Sequence, residues 1–259
     1  MKKLLALVLS LMLLFSLCAV TAADDSDLAY VTGKGTLVIG ITDFEPMDYL
    51  SDTGEWIGFD ADTAKAFCAY LGVEPEFVVI DWDSKTMELD SRNIDCVWNG
   101  MTITDGVKKA MQVSSPYCLN GQVVVVKAQN AAGVSGEEAI SGFVFAVEAG
   151  SSGEEVALER GWEIVSVQSQ GDALLEVAAG TCDACIIDLL MAAAMVGEGT
   201  NYAGLTYTLL LNEEEYGVGF RTGSDLAAAL DAYLDEAYRD GSLIACAEQY
   251  GIGASLIAR

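Results

Sequence analysis

The sequence predicts an α/β protein of two lobes, each with a mostly parallel sheet covered by helices on both faces. Three observations support this fold class. Strand-like and helix-like segments alternate from residue 37 onward, the composition shifts to Ala, Gly and Ser over residues 129–142, and the alternation then restarts. Repeated strand–helix–strand units form parallel sheets, so a restart after a composition change indicates a second unit of the same kind.

The N-terminal residues are typical of an export signal. Lys2-Lys3 precedes an almost wholly apolar stretch over residues 4–17, and the small residues Ala22-Ala23 follow. The apolar stretch is too short to be interpreted first as a membrane span. We therefore predict that residues 1–22 are removed and that the protein acts outside the cytoplasmic membrane, in the cell envelope or the medium.

Cys18 raises the alternative of a lipid anchor. A lipidated cysteine normally follows a small residue, whereas Leu17 precedes this one. The sequence therefore favours a released protein over an anchored one.

The first half of the mature chain predicts three strand–helix pairs. We expect strands at residues 37–41, 76–80 and 94–98, and helices at 58–71, 82–91 and directly after Thr104. Gly72 is a natural stop for the first of these helices.

The second half repeats the pattern after a strand at residues 122–127. We expect further strands at 143–147, 164–167 and 183–187, with helices that end near Arg160 and Gly180 or begin near Asp188. A strand at 216–220 and helices at 225–239 and 242–250 close the chain. Ligands of open α/β sheets bind beyond the carboxyl ends of the strands, so we expect the site in a cleft between the lobes.

Charge and composition exclude several functions. Thirteen basic residues against 39 acidic ones give a net charge of −26, which repels nucleic acid and anionic membrane surfaces. The chain has no histidine, the commonest general base, and no glycine-rich loop with phosphate-binding spacing. We therefore predict no catalytic residue and no cofactor.

Six cysteines remain after the predicted cleavage, and their spacing follows no dense disulfide framework. Cys182 and Cys185 form a CxxC pair, but the pair runs into a strand instead of opening a helix. Without a histidine it cannot complete a common zinc site. We interpret the pair as structural and predict no metal site.

An ordered series of short motifs runs through the mature chain. It includes Gly58-Phe59-Asp60, Asn99 to Thr104, Gly150-Ser151-Ser152 and Gly217 to Arg221. Over roughly residues 35–252 the chain thereby resembles the polar amino-acid family of solute-binding proteins that serve ABC importers. Each motif alone is weak evidence, whereas the ordered series is strong.

The resemblance implies two Rossmann-like lobes joined by a two-stranded hinge, the type 2 fold of periplasmic binding proteins. The chain would cross between lobes near residues 126–129 and 212–216. Lobe 1 would then comprise residues 24–126 and 214–259, and lobe 2 residues 128–212. The implied partners are a small polar solute, such as an amino acid or a related amine, and the permease and ATP-binding subunits of an importer. We expect a monomer.

The resemblance also implies a ligand site. Gly100 and Thr102 match the backbone and hydroxyl positions that meet a bound amino acid, and Asp188 matches the acid that receives its ammonium. Phe44 and Trp98 are the aromatic residues expected to contact the ligand. The full expected set is Asp43, Phe44, Trp98, Asn99, Gly100, Met101, Thr102, Ser151, Ser152 and Asp188.

Elementary physical chemistry agrees with two of these assignments. Ser151 and Ser152 open a helix, and helix N-termini favour anions. Asp188 follows a strand and could bind an ammonium through a charge-assisted hydrogen bond. The alternative for Asp188 is a helix cap, because it precedes a helix.

One position departs from the family. The family usually places an arginine three residues after the equivalent of Thr104, where it grips the carboxylate of the ligand. This chain has Val107 there, followed by Lys108 and Lys109. Valine supplies no donor and lysine lacks the planar fork of arginine. Lys108 could substitute, the helix ends could suffice, or the ligand could lack a carboxylate; the alternative for both lysines is a solvated helix face.

These observations favour a binding protein over two other classes. The main alternative is a dehydratase or lyase on the same fold with a carboxylate base. A sensor domain is disfavoured because nothing tethers the chain to a kinase.

Overall fold

The computed structural model of the protein describes residues 26–259. The predicted export signal and Cys18 lie outside the described residues. Across residues 26–259 no helix combines the length and the apolar character that a membrane crossing requires.

Helices and strands alternate along the described part of the chain. The α-helices are α1 (Asp27–Lys34), α2 (Phe59–Leu71), α3 (Lys85–Asp90), α4 (Asp105–Ala110), α5 (Ser152–Glu159), α6 (Gln170–Ala179), α7 (Leu189–Met195), α8 (Leu226–Asp240) and α9 (Ser242–Gln249). The strands are β1 (Thr36–Ile41), β2 (Tyr49–Leu50), β3 (Trp56–Ile57), β4 (Glu74–Val79), β5 (Cys96–Val97), β6 (Gln112–Val113), β7 (Cys118–Asn120), β8 (Gln122–Lys127), β9 (Val144–Glu148), β10 (Glu163–Val167), β11 (Ala184–Asp188), β12 (Leu205–Leu210), β13 (Glu214–Tyr216) and β14 (Gly219–Phe220). Short 3-10 helices cover Trp82–Ser84, Ala128–Gly133, Glu137–Ile140 and Gly253–Ser255.

The first sheet has the strand order β4-β1-β5-β14-β6. Strands β4, β1 and β5 are parallel, while β14 runs antiparallel to β5 and to β6. Helix α2 packs on this sheet through its apolar face, with Phe59, Ala64 and Phe67 buried in the main core. The closing helices α8 and α9 pack against α2 and therefore belong with this sheet.

The second sheet has the strand order β10-β9-β11-β8-β12. Strands β10, β9 and β11 are parallel, and β8 runs antiparallel to β11 and β12. The prediction had placed most of β8 in lobe 1, with the crossing near residues 126–129. That position is wrong, because β8 forms its ladders wholly within the second sheet.

The physical reason lies in the sequence of β8. Its four valines, residues 123–126, alternate between two hydrophobic clusters on opposite faces, as expected of a central strand covered on both sides. The Ala, Gly and Ser-rich stretch that indicated a second unit contains two 3-10 helices after the strand.

The two sheets are joined by a two-stranded antiparallel ladder of β7 and β13. Asn120 is opposite Glu214 and Cys118 is opposite Tyr216. The single strand predicted at residues 216–220 is wrong, because β13 and β14 belong to different sheets. The predicted α/β class is confirmed, while helix α1 and strand β12 were not predicted.

Candidate functional site

A cavity of about 210 Å³ lies between the two sheets, beyond the carboxyl ends of strands β1, β5, β9 and β11. We call its two sides the first wall and the second wall, after the sheet that supplies them. The first wall comprises Thr42, Phe44, Trp82, Lys85, Thr86, Asn99, Gly100, Met101, Thr102, Thr104, Gly106, Val107 and Ala110. The second wall comprises Glu148, Gly150, Ser151, Ser152, Glu155, Gln170 and Asp188.

The structure brings eight of the ten expected site residues to this cavity. They are Phe44, Asn99, Gly100, Met101, Thr102, Ser151, Ser152 and Asp188. Asp43 is exposed and lines two neighbouring recesses instead. Trp98 is 1% exposed and packs on Phe67, with ring centroids 6.1 Å apart. Side chains alternate along an extended chain, so Trp98 shares the core with Cys96 and does not face the cavity.

The backbone at Gly100 is shaped for a close approach to Phe44. Gly100 has a φ of 53°, and a Cβ atom there would lie 2.5 Å from Phe44 Cε1. Its amide donates to Asp60 Oδ2 at 2.6 Å. Only glycine fits this combination of space and conformation, so the first wall offers main-chain atoms at this point.

Asn99 acts mainly inside the first lobe. Its Oδ1 accepts from the Thr42 amide at 2.9 Å and its Nδ2 donates to Asp48 Oδ2 at 2.8 Å. Burial raises the pKa of the neighbouring Asp60 to about 7, and burial together with the charge of Asp60 raises the pKa of Asp48. This buried group of side chains holds the loop that carries Gly100.

Asp188 is the most heavily hydrogen-bonded carboxylate of the cavity. It is 4% exposed and accepts from Tyr216 Oη at 2.7 Å and from Gln122 Nε2 at 3.1 Å. Asn120 Nδ2 and Gln170 Nε2 also donate to it. Its side chain makes no capping bond to α7, so the helix-cap alternative is wrong. Burial, followed by the charge of Glu214, raises the pKa of Asp188 to about 7.

Glu214 connects the hinge with both walls, and the sequence analysis did not find it. One of its oxygens accepts from Thr102 Oγ1 at 2.8 Å and the other from Ser152 Oγ at 2.7 Å. Asn120 and Gln122 also donate to it. The hydroxyls of Thr102 and Ser152 are therefore already engaged by a hinge residue. No sequence signal marked Glu214, because its position opposite Asn120 in the two-stranded ladder is defined only by the fold.

Lys85 is the only cation among the described residues that line the cavity. Its Nζ donates across the cleft to the Gly150 carbonyl at 2.8 Å, and also to the Trp82 carbonyl at 3.0 Å. It lies 4.8 Å from the centroid of the Trp82 ring, and burial lowers its pKa to about 8. Lys108 and Lys109, which the sequence analysis considered instead, are exposed, whereas Val107 does line the cavity.

The two lobes touch each other beside Lys85. A Cβ atom on Gly150 would lie 2.6 Å from Asp83 Cα, so the two backbones are nearly in contact. Gln168 Nε2 donates to Asp81 Oδ1 at 2.7 Å across the same gap. The cleft is therefore closed on this side by contacts between protein groups.

Glu148 ends strand β9 and lies in the second wall with an exposure of 3%. Burial, followed by the charge of Asp188, raises its pKa to about 8. Glu148 was not among the site residues expected from the sequence. An acidic residue that closes the otherwise apolar strand Val-Phe-Ala-Val-Glu was the available signal.

Fold and site together define a two-lobed protein with a closed polar cleft. Residues 37–253 match the model of the bacterial extracellular solute-binding proteins, family 3, and the chain belongs to this family. The chain is 29% identical to the L-cystine-binding protein TcyJ of Escherichia coli (strain K12), over 88% of this chain and 87% of that protein. It is 28% identical to the arginine-binding extracellular protein ArtP of Bacillus subtilis (strain 168), over 94% and 95%.

Among solved structures, one similar chain is an ancestral amino-acid-binding protein, AncCDT-1, described as a precursor of cyclohexadienyl dehydratase. The TM-score is 0.80 and the identity 30%, over 87% of this chain and 99% of that one.

Proposed function

We propose that the protein captures an amino acid between its lobes and delivers it to the membrane permease of an ABC importer. The observation that carries this proposal is Asp188, a carboxylate buried in the cavity wall and held by four side-chain donors. Family membership and relatives named for cystine and arginine binding support it. A rigid buried acid is well suited to a charge-assisted bond with an ammonium group.

The α-ammonium of the solute would lie against Asp188 and its carboxylate against Lys85. Val107 supplies no donor, whereas Lys85 already reaches the Gly150 carbonyl beside the start of α5. The N-terminus of α5 adds main-chain amides and a favourable dipole at the same place. Phe44 and Trp82 offer apolar surface for the rest of the solute.

Binding would close the lobes about the β7–β13 ladder. The chain would pass from lobe 1 to lobe 2 between residues 120 and 122 and return to lobe 1 between residues 210 and 214. The solute stabilises the closed form because it contacts both walls there and only one in the open form. We further propose that the chain acts as a monomer outside the cytoplasmic membrane, released after loss of residues 1–22.

The test is a thermal-shift screen of the 20 common amino acids, cystine and small amines, followed by calorimetry on the hits. Asp188→Asn should weaken amino-acid binding by about 1.5–3 kcal/mol, as expected for a lost charge-assisted hydrogen bond. Asp43→Asn removes the same charge from an exposed position outside the cavity and serves as the matched control. Equal affinity in the two variants would show that Asp188 does not bind the solute.

We also propose that the chain binds its solute without turnover. The curated relatives described above are named as binding proteins, and the sequence lacks histidine. The alternative, a dehydratase or lyase with a carboxylate acid or base, is favoured by one observation, the raised pKa of Glu148 inside the cavity. Incubation with prephenate-like acids separates the two, since a product detected by absorbance or mass spectrometry would establish the enzyme.

A further inference from the structure

Glu148 differs from the other carboxylates around the cavity in what its oxygens contact. The side chain is 3% exposed and lines the cavity, yet its Oε1 has no hydrogen-bond partner among residues 26–259. Asp188, at nearly the same burial, accepts four donors. Buried polar atoms in proteins are nearly always hydrogen-bonded, so an unpartnered oxygen on a residue that lines the cavity needs an explanation.

The surrounding charges do not neutralise Glu148. Lys85 makes no ion pair with it, since the Lys85 ammonium donates to the Gly150 and Trp82 carbonyls instead. The charge of Lys85 favours the ionised form of Glu148, whereas burial and the charges of Asp188 and Asp172 disfavour it, and the net result is a raised pKa. An unpaired buried carboxylate is unfavourable by itself but becomes favourable once a cation occupies the cavity.

The lining as a whole carries more negative than positive groups. Glu148, Glu155 and Asp188 oppose Lys85 alone. A solute with one ammonium and one carboxylate adds no net charge to this lining, whereas a second cationic group would favour the ionised forms of its acidic side chains.

We propose that Glu148 binds a second cationic group of the solute, so that the preferred solutes are amino acids with an amine or guanidinium side chain. This inference rests on the proposed function and adds the substrate class. The α-ammonium is bound at Asp188, the carboxylate at Lys85, and the side-chain cation pairs with the carboxylate of Glu148.

The experiment compares solutes of nearly equal shape and different charge by calorimetry. The wild-type protein should bind L-arginine at least tenfold more tightly than L-citrulline, and L-lysine at least tenfold more tightly than L-norleucine. Tenfold corresponds to about 1.4 kcal/mol. Glu148→Gln keeps the size of the side chain and should bring both ratios close to one.

A control variant separates local from long-range electrostatics. Glu159→Gln removes the same charge from an exposed position of α5 and should leave both ratios unchanged. The unfolding midpoint without solute should not fall in Glu148→Gln, because the change removes an unpaired buried carboxyl group.

The outcomes distinguish this inference from the proposed function. A wild-type protein that binds amino acids with equal affinity for both members of each pair would overturn the inference and leave the function standing. Ratios that survive in Glu148→Gln would overturn it as well. A protein that binds no amino acid at all contradicts the proposed function itself.

Discussion

The two walls of the cleft differ sharply in chemistry. The first wall has 13 lining residues and a single charge, Lys85, while the second wall has seven lining residues and three carboxylates. Phe44, Met101 and Val107 give the first wall an apolar surface, and Gly100 exposes its main chain there. Under the proposed function, the first wall would set the shape of the solute and bind its carboxylate through Lys85, and the second wall would select its cationic groups.

Two carboxylates of the second wall are held in different ways. Asp188 is fixed in place by hydrogen-bond donors from the hinge strands and from α6. Glu148 is held by burial at a strand end, with an oxygen left unpartnered. The first arrangement favours accurate placement of one group, whereas the second favours solutes that can neutralise it.

A substitution that keeps the two walls apart should reduce the affinity for solutes more than any other substitution proposed here. Gly150→Ala places a Cβ atom 2.6 Å from Asp83 Cα and requires a φ of 72° that alanine disfavours. We expect the closed form to be lost and the affinity for every solute to fall more than 100-fold, or about 2.7 kcal/mol. Calorimetry with the best solute of the screen measures this.

Gly161→Ala is the matched control for this change. Gly161 has a φ of 67° on the same lobe, but nothing lies within 4 Å of the position of its Cβ atom. Both variants should lose similar stability, and only Gly150→Ala should lose affinity. Equal affinities would show that contact between the walls is not needed for binding.

Removing the one charge of the first wall should have an intermediate effect. Lys85→Met should weaken binding of an amino acid by about tenfold, because its carboxylate loses a charged donor. The matching decarboxylated amine, agmatine for arginine, should be affected much less. Lys108→Met removes the same charge outside the cavity and should change neither affinity. An equal loss of affinity for arginine and for agmatine would show that Lys85 contributes to closure of the lobes and does not bind the carboxylate.

The affinity should also depend on pH, because two carboxyl groups of the second wall bind protons. The pKa values of about 7 for Asp188 and about 8 for Glu148 are raised by burial, so the closed cavity holds protons that a bound cation must displace. Affinity for a cationic amino acid should rise from pH 6 to pH 7.5, because fewer protons then have to be displaced from the two carboxyl groups. Above pH 8 the gain should stop, since Lys85 has a pKa of about 8 and loses its charge there.

Without solute, the stability of the folded protein should decrease over the pH range in which the affinity increases. The folded protein binds more protons than the unfolded chain above the ordinary carboxyl pKa, so its stability falls as the pH rises towards 8. Unfolding midpoints measured beside the affinities test this. Parallel changes of stability and affinity would contradict the assignment of raised pKa values to the second wall.

Periodicity and motif order predicted most of the fold. The helix ends at Gly72 and Gly180 and the helix start at Ser152 agree with the structure, because short-range signals determine them. The first crossing between the lobes was misplaced because a strand covered on both faces has the same apolar sequence pattern whichever sheet it joins. The partner of β8 depends on contacts far away in sequence, with β11 and β12.

The same limit applies to the cavity. Asp188 and Gly100 follow strands, so position in the fold indicated them. Lys85 sits at the start of a short helix and resembles a solvated residue until Gly150, 65 positions later, comes beside it. In the sequence, Glu148 looks like an ordinary polar residue at the end of a strand. Only the structure shows that one of its oxygens has no hydrogen-bond partner.

The bonds from Lys85 to Gly150 and from Gln168 to Asp81 join the lobes through protein groups alone. Part of the free energy of closing is therefore the same for every solute. The apparent dissociation constant of any solute equals its intrinsic value divided by the fraction of molecules able to close. Substitutions at the outer pair, Gln168 and Asp81, would multiply all dissociation constants by one common factor. Under the proposed function, the contacts at the outer edge of the cleft would adjust the strength of binding for all solutes alike, while the cavity residues would select the solute.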